Sequence, residues 1–162
     1  MRRTSRLPGA LAWVAIVALV VPAAHGQSLP DADSREVQNY VLTEAAFVQY
    51  TQATRSLNGV RFQDCDEDSE VRSLAEAAAK IEAEPRAKAA VQAAGMTSRE
   101  YVVFVFSLVQ NALASHSLET PGAKLPAGIS MANVEFYRKH AAALEKLAAE
   151  TQVESCGEEA GD

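Results

Sequence analysis

The side chains that could do chemistry in this chain are few: two cysteines, two histidines beyond Gly26, and a small set of aromatics. Cys65 sits in Asp64-Cys65-Asp66-Glu67-Asp68 and Cys156 in Glu154-Ser155-Cys156-Gly157-Glu158. Neighbouring carboxylates raise a thiol's pKa, and there is no Cys-x-x-Cys, so the pattern argues against a catalytic thiol. Two cysteines in an oxidising compartment are expected to be bonded. In the chain-entropy model a loop of this length constrains the unfolded chain by up to about 4–5 kcal/mol. The bond makes a geometric demand: the loop after the first helix and the tail after the last helix must lie at the same end of the fold.

His116 and His140 lack the spacing of a known metal motif. There is no His-Glu-x-x-His, Cys-x-x-Cys-His or Glu-x-x-His, so zinc hydrolase, c-type haem and di-iron bundle readings lack their ligands. The metal set the sequence still offers is His116 and His140 meeting a carboxylate of the first helix such as Glu44. Asp64, Asp66 and Asp68 alternate like the opening of a calcium loop, but Ser69 and Ala75 stand where Gly and Glu are required. A solvated linker is the default there. Tyr101, Phe104, Phe106, Phe136, Tyr137 and His140 could line a pocket between helices, or the same aromatics could fill the core, and filling the core is the favoured reading. His140 is expected to be partly buried and hydrogen-bonded beside an apolar helix face. No Gly-x-Ser-x-Gly and no glycine-rich phosphate loop is present, so no catalytic residue and no cofactor is implied.

The compartment follows from the segment before Gln27. Arg2, Arg3 and Arg6 precede an uncharged run from Ala10 to Val21, and Ala24 and Gly26 supply small residues before Gln27. That order is the signature of a cleaved secretory signal peptide, and the run is shorter than the ~20 residues of a membrane span. The expectation is an exported protein, periplasmic or secreted, with no stable membrane anchor after cleavage. The whole chain has 162 residues, 48% of them hydrophobic, and a net charge of −6; without the signal the balance is 12 basic against 21 acidic residues. So acidic a surface speaks against nucleic acid as a partner.

Positioning these side chains falls to helices. Asp33-Ser34-Arg35-Glu36 reads as a capping box opening a helix over 34–57, with Val37, Tyr40, Val41, Ala45 and Val48 on its inner face and Gly59 as terminator. Ser73-Leu74-Ala75-Glu76 opens a second helix to about Glu84, and Pro85 begins a third that stops at Gly95. Thr97-Ser98-Arg99-Glu100 caps a fourth, running to about Leu118. Its Tyr101–Val109 stretch is nearly all apolar and rich in β-branched residues, but with no second strand to pair with it, helix is the consistent reading. Pro121, Gly122, Pro126 and Gly128 mark 119–129 as a connection, long enough for the last helix to return parallel to the fourth. Ser130 caps that last helix, about 131–150. Alanine supplies 25 of the residues after the signal, which favours helix and close helix approach. The expected organisation is a signal peptide (1–26), a short arm (27–33), an all-α bundle of four to five helices (34–150) and a flexible acidic tail (151–162).

Gly95, Thr97, Arg99-Glu100-Tyr101 and then Pro126-x-Gly128-x-Ser130-x-x-Asn133-x-x-Phe136-x-x-x-His140 resemble a family of small exported bacterial helical proteins with no assigned activity. The resemblance runs from about Ser73 to Leu147 and implies a helical, exported protein, but no substrate, cofactor or functional residue. Asn133 is expected to cap and tether the 119–129 loop. Two functions suit these residues: a non-enzymatic binding or interaction protein of the bacterial periplasm, engaging an unidentified protein or small molecule, or a small-molecule or metal carrier with its pocket between helices.

Overall fold

The computed structural model describes residues 29–60 and 71–151. Among the described residues all regular structure is helical: α1 (Asp31–Asn39), α2 (Glu44–Ser56), α3 (Leu74–Ala83), α4 (Pro85–Ala93), α5 (Ser98–Ser117) and α6 (Met131–Glu150). Cys65 and Cys156, the Asp64–Asp68 stretch, the signal segment and residues 152–162 lie outside the described residues. No described helix is long and apolar enough to cross a membrane.

The starts of α4 and α5 follow their local signals closely. Thr97 and Glu100 form a reciprocal capping box, with the Glu100 amide donating to Thr97 Oγ1 at 3.1 Å and the Thr97 amide to Glu100 Oε2 at 2.8 Å. Pro85 takes the first position of α4, where a missing N–H leaves no bond unmade. Gly95 ends α4 with φ +83°, and the Gly95 and Met96 amides close back on the Gln92 and Val91 carbonyls at 2.9 and 3.2 Å. That paired closure requires a left-handed residue, which a side chain would strain.

Three capping expectations are corrected. Ser73 does accept from the Glu76 amide, but the Glu76 carboxylate reaches back to the Arg72 amide instead of completing the box. Ser130 stands at the N-cap of α6 without a side-chain bond to it. Asp33 caps no helix of its own: α1 begins earlier, at Asp31, and Asp33 Oδ2 accepts the Leu74 amide at 2.8 Å. A carboxylate is stabilised by the positive N-terminal end of α3, so Asp33 caps a helix distant in sequence.

The largest departure from the sequence pattern is the helix expected over 34–57. It is broken at Tyr40–Thr43 into α1 and α2. Two groups make the break tolerable. Thr43 accepts the Ala46 amide at 3.2 Å and caps α2. Asn133, in the first turn of α6, donates to the Tyr40 carbonyl at 2.7 Å and accepts the Leu42 amide at 3.1 Å. One side chain thus replaces two bonds that a continuous helix would have made. Asn133 therefore tethers the α1–α2 link and not the 119–129 loop. The break also shifts the phase of the buried face: Val37 and Tyr50 point inward, whereas Val41 and Val48 stand 69% and 60% exposed.

Pairs across the bundle fix its directions. Glu44 meets Lys139 and Arg55 meets Glu150, so α2 and α6 run in the same sense. Thr54 meets Tyr101 while the Val37 carbonyl meets Ser107, so α5 runs opposite to both. Helix α6 therefore returns antiparallel to α5, against the parallel return that the long connection allowed. Helix α5 is the central element expected from its apolar run and touches each of the other five. Phe104, Val102, Leu74, Val91, Val134 and Leu147 are fully buried around it.

Candidate functional site

The aromatic residues singled out by sequence separate into two clusters. Tyr101 and Phe104, from the inward face of α5, stack against Tyr50 at ring-centroid separations of 5.6 and 4.9 Å, and Tyr40 meets Phe104 edge-on at 6.1 Å. The Tyr101 hydroxyl is satisfied by Thr54 Oγ1 at 3.0 Å. Burial pushes the Tyr50 phenol up to about 12 and the Tyr101 phenol higher still, so both remain neutral. Phe106 and Tyr137 are partly buried and pack against the same core, and burial also raises the Tyr137 phenol, with Glu145 and Glu119 adding to it.

The second cluster joins α2 to α6. Phe136 and His140 lie one helical turn apart on α6, and Phe47 of α2 closes against both. His140 is 4.2 Å from Phe47 and 4.4 Å from Phe136 between ring centroids, and its side chain is 13% exposed. Its Nε2 faces Glu44 Oε1 at 3.1 Å, and Lys139 Nζ donates to the same oxygen at 2.6 Å. Hydrogen bonds from Lys139 and then His140 hold the exposed Glu44 carboxyl below its ordinary value. Val48 follows Glu44 by one turn on the same face of α2, and Val41 lies in the link between α1 and α2.

The metal set offered by the sequence is only half assembled. His140 and Glu44 meet, but His116 pairs with Glu119 at 3.2 Å on the exposed end of α5. Among the described residues no three His, Cys, Asp or Glu side chains gather in a way that could hold a metal ion. Lys139 holds the same Glu44 oxygen that faces His140, and an ammonium beside a cation site opposes it.

Two further polar groups join helices. Ser98 donates to Glu82, which also takes Lys88 at 2.7 Å, linking α5, α3 and α4. The Arg99 guanidinium meets both oxygens of Glu36, with Asp33 at 3.6 Å, linking α5 to α1. Ser98 is 3% exposed and spends its proton on a carboxylate already paired to a lysine, so this trio lacks the access a nucleophile needs.

Sequence reasoning missed Phe47, Tyr50 and Lys139, and also a polar line on α5: Ser107, Asn111 and Ser115, at i, i+4 and i+8, all buried. The regular spacing of three polar residues in an otherwise apolar helix was the signal for the last. Several of the residues quoted for the resemblance hold joints of the fold: Gly95 and Gly128 adopt positive φ, Thr97 and Glu100 cap α5, and Arg99 ties α5 to α1. Asn133 holds the α1–α2 link, and Phe136 and His140 build the α2–α6 cluster. No protein-family model, curated protein or solved structure matches the chain.

Proposed function

We propose that this is an exported, non-enzymatic interaction protein of the bacterial periplasm that engages a protein partner through the α2–α6 face. The carrying observation is the exposure of Val48, one turn after Glu44 on α2, and of Val41 in the link that precedes α2, next to a Glu44 carboxylate already held by Lys139 and His140. Large apolar side chains held in water beside a fixed charge suit recognition, where apolar area supplies affinity and the charge supplies register. The reactive groups nearby are paired with one another, which suits a surface that binds more than one that transforms. The carrier reading draws less support, because Tyr101 and Phe104 spend their ring faces on Tyr50.

Export rests on the arginine, apolar and small-residue order of the segment before Gln27. A Cys65–Cys156 bond belongs to the same reading. Its support is that Arg55 and Glu150 pair at 3.2 Å, so α2 and α6 end side by side, and that Val60 and Thr151 each precede a cysteine by five residues. A mass beginning at Gln27 and two hydrogens light is the expected result for protein purified from the periplasm of its host; a full-length or fully reduced mass refutes it.

The partner face is tested by placing a photo-crosslinking residue at position 48 and, separately, at the exposed Glu145 of α6, in cells of the host. A discrete adduct from position 48 and none from 145 is expected. No adduct from either, or the same adducts from both, overturns the assignment of this face.

A further inference from the structure

The polar line on α5 carries an inference independent of the partner face. Ser107, Asn111 and Ser115 share one side of the helix, one turn apart, and are 0%, 2% and 7% exposed. At one end Ser107 Oγ donates to the Val37 carbonyl of α1 at 3.2 Å. At the other, Ser115 Oγ accepts from Arg138 Nε of α6 at 2.9 Å, and the Ser115 carbonyl accepts from Arg138 Nη2 at 3.3 Å. The line therefore lies in the seam that α5 forms with α1 and α6. Between its ends, Asn111 spends its amide on the Ser107 carbonyl at 2.7 Å, which fixes the direction of the side chain. Its Oδ1 is fully buried and has no hydrogen-bond partner among the described residues.

An amide oxygen held so is costly when unmet, so buried polar groups of folded proteins find a partner in protein or in ordered water. A donor is at hand one turn away. Ser115 Oγ already accepts from Arg138, and among the described residues its own proton has no acceptor. A water needs two or more polar partners to be held internally.

We propose that the α5 seam is an internal hydration site, in which one water accepts the proton of Ser115 and donates to Asn111 Oδ1. The water completes a polar chain from the Arg138 guanidinium at the surface to the Val37 carbonyl. Each link then donates to the next: Arg138 to Ser115, Ser115 to water, water to Asn111, Asn111 to the Ser107 carbonyl, and the Ser107 hydroxyl to α1. Water is the proposed occupant, because it can accept from the Ser115 hydroxyl and donate to the Asn111 oxygen at once.

Water–amide cross-relaxation on isotopically labelled full-length protein tests this. The Asn111 side-chain amide is expected to show a cross-peak to a long-lived water, and Ser115→Ala is expected to abolish it while the protein stays folded. An absent cross-peak in the unaltered protein overturns the site, as does one that survives Ser115→Ala. A high-resolution crystal structure offers a second measurement should Ser115→Ala fail to fold. Density for a water bonded to Asn111 Oδ1 and Ser115 Oγ supports the proposal; a direct Ser115–Asn111 bond, or a molecule other than water, overturns it.

Discussion

Replacing Asn133 with alanine tests the joint on which the α1–α2 break depends. Asn133 is 5% exposed and satisfies two backbone groups ninety or more residues away, the Leu42 amide at 3.1 Å and the Tyr40 carbonyl at 2.7 Å. Leu42 is itself buried, so its amide would be left without a partner, at a cost of about 1–3 kcal/mol. Tyr40 is only partly buried, and water can reach its carbonyl more readily, so that loss is smaller, about 0.5–1.5 kcal/mol. Together they predict a destabilisation of about 1.5–4.5 kcal/mol, with a fall in Tm of roughly 3–5 °C per kcal/mol for a chain of this size. The assay is urea unfolding followed by helical circular dichroism, with hydrogen exchange at the Leu42 amide. The midpoint should drop with an unchanged slope, and the Leu42 amide should lose protection before the core of α5 does. Asn133→Asp should also destabilise, because it keeps an acceptor for Leu42 but sets a carboxylate against the Tyr40 carbonyl. A shift for Asn133→Ala within about 0.5 kcal/mol, the range of ordinary surface substitutions, would show that the break is held by something other than this side chain. So would a Leu42 amide as protected as before.

Phe104 is fully buried and meets the rings of Tyr40 and Tyr50, so Phe104→Ala should cost about 3–5 kcal/mol in unfolding free energy. A loss below about 1 kcal/mol, typical of an unremarkable site, contradicts its place at the centre of the core. Hydrogen bonds hold Glu44, Glu82 and Glu100 below the ordinary glutamate value of 4.5. A depressed folded-state pKa stabilises above the unfolded value and is lost as pH falls through the folded one, so thermal stability should be level above about pH 5 and decline below 4.5. Replacing all three with glutamine should flatten that decline, and an equally steep acid limb in the triple variant refutes the assignment. Tyr50 is pushed up to about 12 by burial, and Tyr101, Tyr40 and Tyr137 are raised as well. Phenolate absorbance should therefore rise above pH 10 in two stages, with Tyr50 and Tyr101 ionising last; a single transition centred at 10 in folded protein refutes their burial.

How much of this was legible in the residues depended on the range of the forces involved. Helices α3, α4 and α5 were readable because their ends are set within four residues of themselves: Ser73 with Glu76, Pro85 at a first turn, Thr97 with Glu100, Gly95 closing on Gln92. The choice of helix over strand for Tyr101–Val109 likewise needed only the cap before it and the lack of a strand to pair with. His140 could be placed beside an apolar face from its spacing to Phe136 and Tyr137, and the structure puts it there. The second half of the metal set was not legible, because whether His116 meets Glu44 depends on where two helices end in space.

What the tertiary structure alone decided has one physical cause. Backbone groups and buried charges must be satisfied, but their partners need not be near in sequence. The helix over 34–57 looked continuous because Val37, Tyr40, Val41, Ala45 and Val48 fit one helical face. Asn133, far along the chain, offers the Tyr40 and Leu42 backbone a different pair of bonds, and Val41 and Val48 are turned into water as a result. Asp33 looked like a local cap and instead serves Leu74 on another helix. Local sequence thus determined that the chain would be helical and where most helices begin. The packed bundle determined which polar side chains meet, and so which face is left for a partner.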